Sequence, residues 1–182
     1  AVLVAGGGVT TVNLDDAGAT TGRSGKLTAS SVKGLGTAGL EYTGVTNLNL
    51  NLGRGEDALV IDGTSARNTT VTTGGGNDTV HVLATGGATT VNTGSGTNTV
   101  NVGSQAPGTG GQLDRIQGSL TLQGGGADTL SIDDTGNRTG REGALSSRSV
   151  EGLGMAGGGV QYAGVGTLRV GLGSGDDTFT VR

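Results

Sequence analysis

Five short stretches of this chain set an acidic or amide side chain at a fixed distance behind paired glycines. They are Leu52-Gly53-Arg54-Gly55-Glu56-Asp57, Thr73-Gly74-Gly75-Gly76-Asn77-Asp78, Thr93-Gly94-Ser95-Gly96-Thr97-Asn98, Gln123-Gly124-Gly125-Gly126-Ala127-Asp128 and Leu172-Gly173-Ser174-Gly175-Asp176-Asp177. A glycine turn can aim several backbone carbonyls at one point, and an aspartate beside it can neutralise a cation held there. Calcium takes about six to eight oxygens in such loose geometry. The same side chains can instead close their turns by accepting backbone N–H groups, as Asp and Asn do in loops. Both chemistries stay open on the residues alone. A degraded sixth copy, Leu3 to Leu14, has Thr10 at the acidic position.

Other candidates are weaker. Asp15-Asp16 and Asp133-Asp134 are each followed by an arginine, Arg23 and Arg141, and read as turns salt-bridged to arginine rather than as an acid and base pair. His81, between Val80 and Val82, falls in the outward phase of its strand and reads as a solvated histidine. Tyr42 and Tyr162 occupy matching positions and read as covers for the end of a core.

Each glycine turn is flanked by alternating apolar residues, as in Val80 and Val82 or Val100 and Val102, with Thr, Asn or Ser between them. That is the period-two signature of a strand with one apolar face. Thr70 to Val82 and Thr90 to Val102 repeat the pattern with an offset of about 20 residues. A constant offset lets equivalent strands of successive copies lie parallel and in register, which disfavours isolated antiparallel hairpins. The expected fold is all-β, a right-handed parallel β-solenoid of about 20 residues per rung, with no helices. Val, Leu and Ile would point inward, Thr and Asn outward, and the glycines would supply positive φ at the turns. Gly103 to Gln112, with the single proline Pro107, reads as a loop. The long gaps Asp15 to Leu48 and Asp133 to Leu168 each have room for about one extra rung and a protruding turn. Strands are expected there around Val32 and Leu35 and around Tyr42, Val45 and Leu48.

A longer repeat contains the short one. Val12-Asn13-Leu14-Asp15-Asp16 returns as Leu130-Ser131-Ile132-Asp133-Asp134, and Glu41-Tyr42-Thr43-Gly44-Val45 returns as Gln161-Tyr162-Ala163-Gly164-Val165. Residues 1–118 thus read as one full repeat unit and 119–182 as the first half of the next, continuous with it. No capping segment is visible at either end, so further copies or adjacent repeats are expected to stack there end to end.

The composition fits a thin fold. With 41 glycines and 2% aromatics among 182 residues, no thick globular core can form, and ordered glycine clusters exclude a disordered linker. The net charge of −4, with Arg and Lys scattered singly, supplies no basic stripe for nucleic acid. No apolar run is long enough for membrane insertion. Absent cysteine rules out disulfides and Cys-zinc sites. There is no tryptophan and no convergence of acids, so enzymatic activity on polysaccharides is not expected.

The turns at Gly53, Gly74 and Gly173 resemble the calcium-binding nonapeptide of RTX (hemolysin-type) proteins, G-G-x-G-x-D-x-U-x. That resemblance implies Asp57, Asp78, Asp128 and Asp177 as candidate calcium ligands, Asn98 as a neutral substitute, and the carbonyls of Gly53, Gly55, Gly74 and Gly76 as helpers. The chain departs from the nonapeptide, with Leu52, Thr73, Thr93, Gln123 or Leu172 at the first glycine and one motif per rung, which would confine ions to one edge. The unit as a whole is similar to tandem repeats of very large bacterial surface or secreted proteins of the adhesin type. That resemblance implies an extracellular or bacterial cell-surface location, calcium-assisted folding, and a role as adhesin stalk, scaffold or filament, with cell-surface or matrix components as partners. An ice- or ligand-binding solenoid is the alternative, carried by Thr70 and Thr72 but broken by Asn92.

Overall fold

β-branched residues alternating with small polar ones favour pleated, half-buried strands, and strands are what forms throughout. The structure, a computed structural model, describes residues 1–182 and contains no helix. Sixteen strands make one sheet: β1 (Val2–Ala5), β2 (Thr11–Asp15), β3 (Ser24–Leu27), β4 (Ser31–Gly34), β5 (Leu40–Thr43), β6 (Asn47–Asn51), β7 (Ala58–Asp62), β8 (Asn68–Thr72), β9 (Thr79–Ala84), β10 (Ala88–Asn92), β11 (Thr99–Val102), β12 (Leu120–Asp133), β13 (Glu142–Leu145), β14 (Ser149–Gly152), β15 (Val160–Gly171) and β16 (Thr178–Val181). Most pairings are parallel, and the sheet curls into two limbs. In the first limb the order is β2-β6-β8-β10, the N-terminal parts of β12 and β15, then β14-β13-β16. The second runs β1-β5-β4-β3-β7-β9-β11 and ends in the C-terminal parts of β12 and β15. β12 and β15 run through their glycines from one limb into the other, where two strands separated by a tight turn were expected.

Register produces continuous inward lanes. In the first limb Leu14, Leu50, Val71, Val91, Leu122 and Tyr162 lie in line. The second limb aligns Ile61, Val82, Val102, Ile132 and Val170. Both limbs contribute to one buried hydrophobic cluster. One inward lane departs from the expected division of apolar inside and threonine outside. Between Leu48 and Leu120 it carries Thr69 and Thr89, both buried. The Thr89 hydroxyl is 3.0 Å from the Gly87 carbonyl and 3.1 Å from the Thr64 hydroxyl, so a local polar contact replaces a leucine.

The long gaps do not hold an extra parallel rung. The chain passes from β2 into β3 and then reverses twice, so β3, β4 and β5 form an antiparallel meander inside the second limb, and β13, β14 and β15 repeat it in the first. Leu35 is in the turn of that meander at φ 54, its copy Leu153 at φ 53, and Val45 is in a turn, not a strand. The tyrosines tie each meander together from within. The Tyr42 hydroxyl donates to the Thr28 carbonyl at 2.6 Å, and Tyr162 donates to the Ser146 carbonyl at 2.6 Å. Burial pushes the Tyr42 hydroxyl pKa up to about 12, against a hydrogen bond with Ser65, and burial raises that of Tyr162.

Turns occupy two opposite edges. On the outgoing edge, where the chain leaves the first limb for the second, the turns at 16–23, 52–57, 73–78, 93–98 and 124–128 stack; Arg54 N donates to Ala19 O, Gly75 N to Gly53 O and Ser95 N to Gly74 O. On the return edge Gly86 N donates to Thr64 O, Gln117 N to Thr85 O, Gly136 N to Gly111 O and Ser174 N to Asn137 O. Positive φ accounts for Gly74, Gly76, Gly94 and Gly96 but not for Gly53 or Gly55. Close approach accounts for all of them: a β-carbon on Gly96 would run into the Gly76 carbonyl, and one on Gly53 into the Ala19 carbonyl. Gly7, by contrast, has open space around it. Gly96→Ala is therefore expected to destabilise by about 2 kcal/mol or more, from backbone strain plus overpacking. Gly7→Ala should stay within about 0.5 kcal/mol. Chemical denaturation of both variants checks the contrast.

Candidate functional site

The acidic and amide side chains of the outgoing edge lie beneath the glycine turns, inside the fold. Asp57, Asp78, Asn98 and Asp128 are 3%, 1%, 1% and 0% exposed. In the strand segment that follows each, the first inward apolar residue, Leu59, Val80, Val100 or Leu130, stands two positions after the ladder residue. The period of two therefore turns the ladder residue to the same inward face, where it meets the backbone of the neighbouring turn. A ladder results. Arg23 N donates to Asp57 Oδ1 at 2.6 Å, Asp57 N to Asp78 Oδ1 at 2.9 Å, Asp78 N to Asn98 Oδ1 at 2.8 Å, and Asn98 N to Asp128 Oδ1 at 3.0 Å. Each side chain caps the amide of its own counterpart one turn away.

The second oxygens distinguish the members. Asp128 Oδ2 accepts the Thr93 hydroxyl at 2.5 Å and Gly125 N at 3.1 Å, while its Oδ1 also takes Asn98 Nδ2 at 3.0 Å. A carboxylate is the right acceptor for so many donors. Asp57 Oδ2 and Asp78 Oδ2 are buried without a partner. Burial pushes the Asp78 carboxyl up from the usual range; the nearby Thr73 hydroxyl, which itself donates to the Thr93 carbonyl at 2.9 Å, and the bond from Asp57 N oppose this, and the charges of Asp57 and Asp128 add to it. Asn98 solves the same problem with an amide, whose Nδ2 also reaches the Thr93 carbonyl at 3.3 Å.

Asp177 is not part of this ladder. Its turn is on the return edge, where Ser174 N meets Asn137 O, and Asp177 Oδ1 accepts Arg141 N at 2.8 Å. The expectation of one edge for all five motifs is corrected by topology, because the turn at Gly173 runs from the second limb to the first, the reverse of its first-copy equivalent at Gly53. Gly53 and Gly74 direct their carbonyls along the stack, into Gly75 N and Ser95 N, and Gly55 and Gly76 are turn-on-turn contacts. The donors therefore fit amide caps better than a cage of six to eight oxygens. No group of three or more His, Asp or Glu side chains converges anywhere. The open groove of about 650 Å³ above these turns is lined by Asn51, Arg54, Thr72, Gly75 and Ser95 among others, and by none of the ladder carboxylates.

The weaker candidates resolve individually. Asp16 pairs with Arg23 at 3.2 Å, as read from the sequence. Its copy does not: Arg141 pairs with Asp114 at 2.8 Å, and Asp134, fully buried, accepts Leu113 N at 3.1 Å. Burial raises the Asp134 carboxyl, against its bonds to Leu113 N and Asn137. The loop before β12 brings Leu113 N to Asp134 and Asp114 to Arg141, which is why equal residues take different partners. His81 is half-buried rather than solvated; desolvation lowers its pKa, and Asn101 Nδ2 is 3.3 Å from its Nδ1. Sequence reading missed Thr73 and Thr93 as members of the site. Their sequence signal was the offset alone, since both stand five residues before the ladder residue; the structure adds that both are fully buried.

Comparison with protein-family models, with curated proteins and with solved structures finds no match to this chain. Its function must therefore be argued from its own geometry.

The raised Asp78 carboxyl has a definite consequence for stability. The fold favours the protonated form, so this group's contribution is full below the ordinary carboxylate range and is lost as pH rises through the raised value. Asp78→Asn, which copies Asn98, should stabilise at neutral pH by about 1–3 kcal/mol, the cost of a buried polar atom without a partner. The gain should vanish in acid. Asp128→Asn should instead destabilise by a similar amount, since it takes a fully used acceptor away. Thermal unfolding between acid and neutral pH measures both.

Proposed function

We propose that this chain is a structural repeat module, a rod-like spacer of an extracellular bacterial surface protein, wound as a right-handed parallel β-solenoid of about 20 residues per rung. One observation carries the reading. Moving along the chain by one long repeat reproduces the strand pairings: β1 with β5 returns as Leu120–Gln123 with Val160–Ala163, β3 with β7 as β13 with β16, and β2 with β6 as Thr129–Asp133 with Thr167–Gly171. A fold whose pairings repeat in this way is specified for length rather than for one cleft. No concentration of acids, bases and aromatics around a cavity argues for catalysis.

The partners are adjacent repeats and further copies. Within the chain β6 and β7 carry β8 and β9 on their far edges. Their counterparts, Thr167–Gly171 and β16, have edges of the same kind and suit another rung. Stability is assigned to the stacked turns and amide caps, and calcium at the Gly-Asp turns is tested separately.

Sedimentation at rising concentration should reveal elongated oligomers. A single monomer at high concentration would remove end-to-end stacking. The melting temperature should be the same in calcium and in chelator; a calcium-dependent rise that Asp57→Asn abolishes would transfer that stability to an ion.

A further inference from the structure

The second copy is related to the first by a half-turn about the long axis. β1 and β5 lie in the second limb, and their counterparts, Leu120–Gln123 and Val160–Ala163, lie in the first. β2 and β6 lie in the first limb and return in the second, as the C-terminal parts of β12 and β15. One long repeat therefore contains a whole number of coils plus one half.

Each unit is also lopsided. β4 and β3 stand between β5 and β7 in the second limb, whereas β6 and β8 pair directly in the first. At about 4.8 Å per strand, two extra strands lengthen one limb by roughly 10 Å relative to the other. That is a wedge. In the second copy β14 and β13 stand between β15 and β16, so the wedge has moved to the first limb. If the repeat held a whole number of coils, every wedge would fall on one side and successive bends would add into an arc. The half-turn sets each wedge against the one before it.

We infer that a tandem array of this unit grows as a straight rod whose structural period is two units, with successive units turned to opposite sides. The inference rests on the tandem-module reading proposed above. Every feature of the unit is then displayed alternately. The Gly-Asp turns show this within the chain, with Asp57 on the outgoing edge and its second-copy equivalent Asp177 on the return edge. A partner that recognises either edge would meet it on both sides of the rod.

The experiment lengthens the full chain by one and by two further copies of residues 1–118, joined in register ahead of Ala1, and follows small-angle scattering. Equal increments in maximum dimension at constant cross-section are expected. Shrinking increments, the mark of an arc, would overturn the alternation while leaving the tandem reading intact. Failure of the added copies to contribute β circular dichroism would overturn the tandem reading instead. The half-turn itself is read in the 182-residue chain, which has no native cysteine to interfere with labelling. Asn101, Ser131 and Arg169 are adjacent in one outward lane. Spin labels on Asn101→Cys and Arg169→Cys should therefore couple strongly, about 10 Å apart. Labels on Thr90→Cys and Arg169→Cys should couple weakly across the two limbs, since Thr90 lies in the first-limb lane of Asn49, the first-copy equivalent of Arg169. Strong coupling in the second pair and not the first would sink the half-turn.

Discussion

Where one turn lies on the next, the carbonyl oxygen of a glycine meets the α-carbon of the glycine above it, at a separation that leaves no room for a side chain. Gly53, Gly74 and Gly94 form such a column, as do Gly55, Gly76 and Gly96. Parallel strands are spaced by their hydrogen bonds, and the turns that join them have to keep the same spacing or the stack splays. The close contact of backbone on backbone is what lets the turns keep it. The inward lanes of Leu, Val and Ile stay in register because the edges do.

The same constraint creates the polar problem that the aspartates solve. A stacked turn buries amide N–H groups that no strand partner reaches, and an uncapped buried amide is costly. Asp57, Asp78, Asn98 and Asp128 each supply an oxygen to one of them. The solution brings carboxylates close together in a dry place. Replacing one by Asn98, and surrounding Asp128 with donors, relieves that tension in part, and the unpartnered oxygens of Asp57 and Asp78 show where it remains. A motif that resembles a calcium turn thus has a complete structural use of its own.

Asymmetry between the copies is informative in the same way. Asp16 and Asp134 have equivalent positions in sequence, yet one forms a half-exposed ion pair and the other caps a buried amide. The difference comes from the loop before β12, which brings Leu113 N to Asp134 and Asp114 to Arg141. Lys26 and Arg115 both converge on Asp62, holding its carboxyl below the usual range, with the Lys26 ammonium contributing first. That pair of contacts joins the β3 meander, β7 and the same loop.

By itself the sequence determined the strands, the turns and the repeat, because alternation and glycine spacing are local properties that act within a few residues. The all-β class, the inward Val80, Val82, Val100 and Val102, and the equivalence of residues near 12 and near 130 were all legible there. It also named the residues of the ladder and left their chemistry open between cation and amide. Tertiary structure decided three matters. It turned the side chains of Asp57, Asp78, Asn98 and Asp128 inward onto backbone N–H groups, which depends on what lies one turn away. It made residues 24–43 and 142–163 antiparallel meanders, since strand direction there is set by neighbours distant in sequence. And it put Asp177 on the opposite edge from Asp57, because which limb a strand joins depends on how many strands precede it in the whole unit, to which no single motif is sensitive.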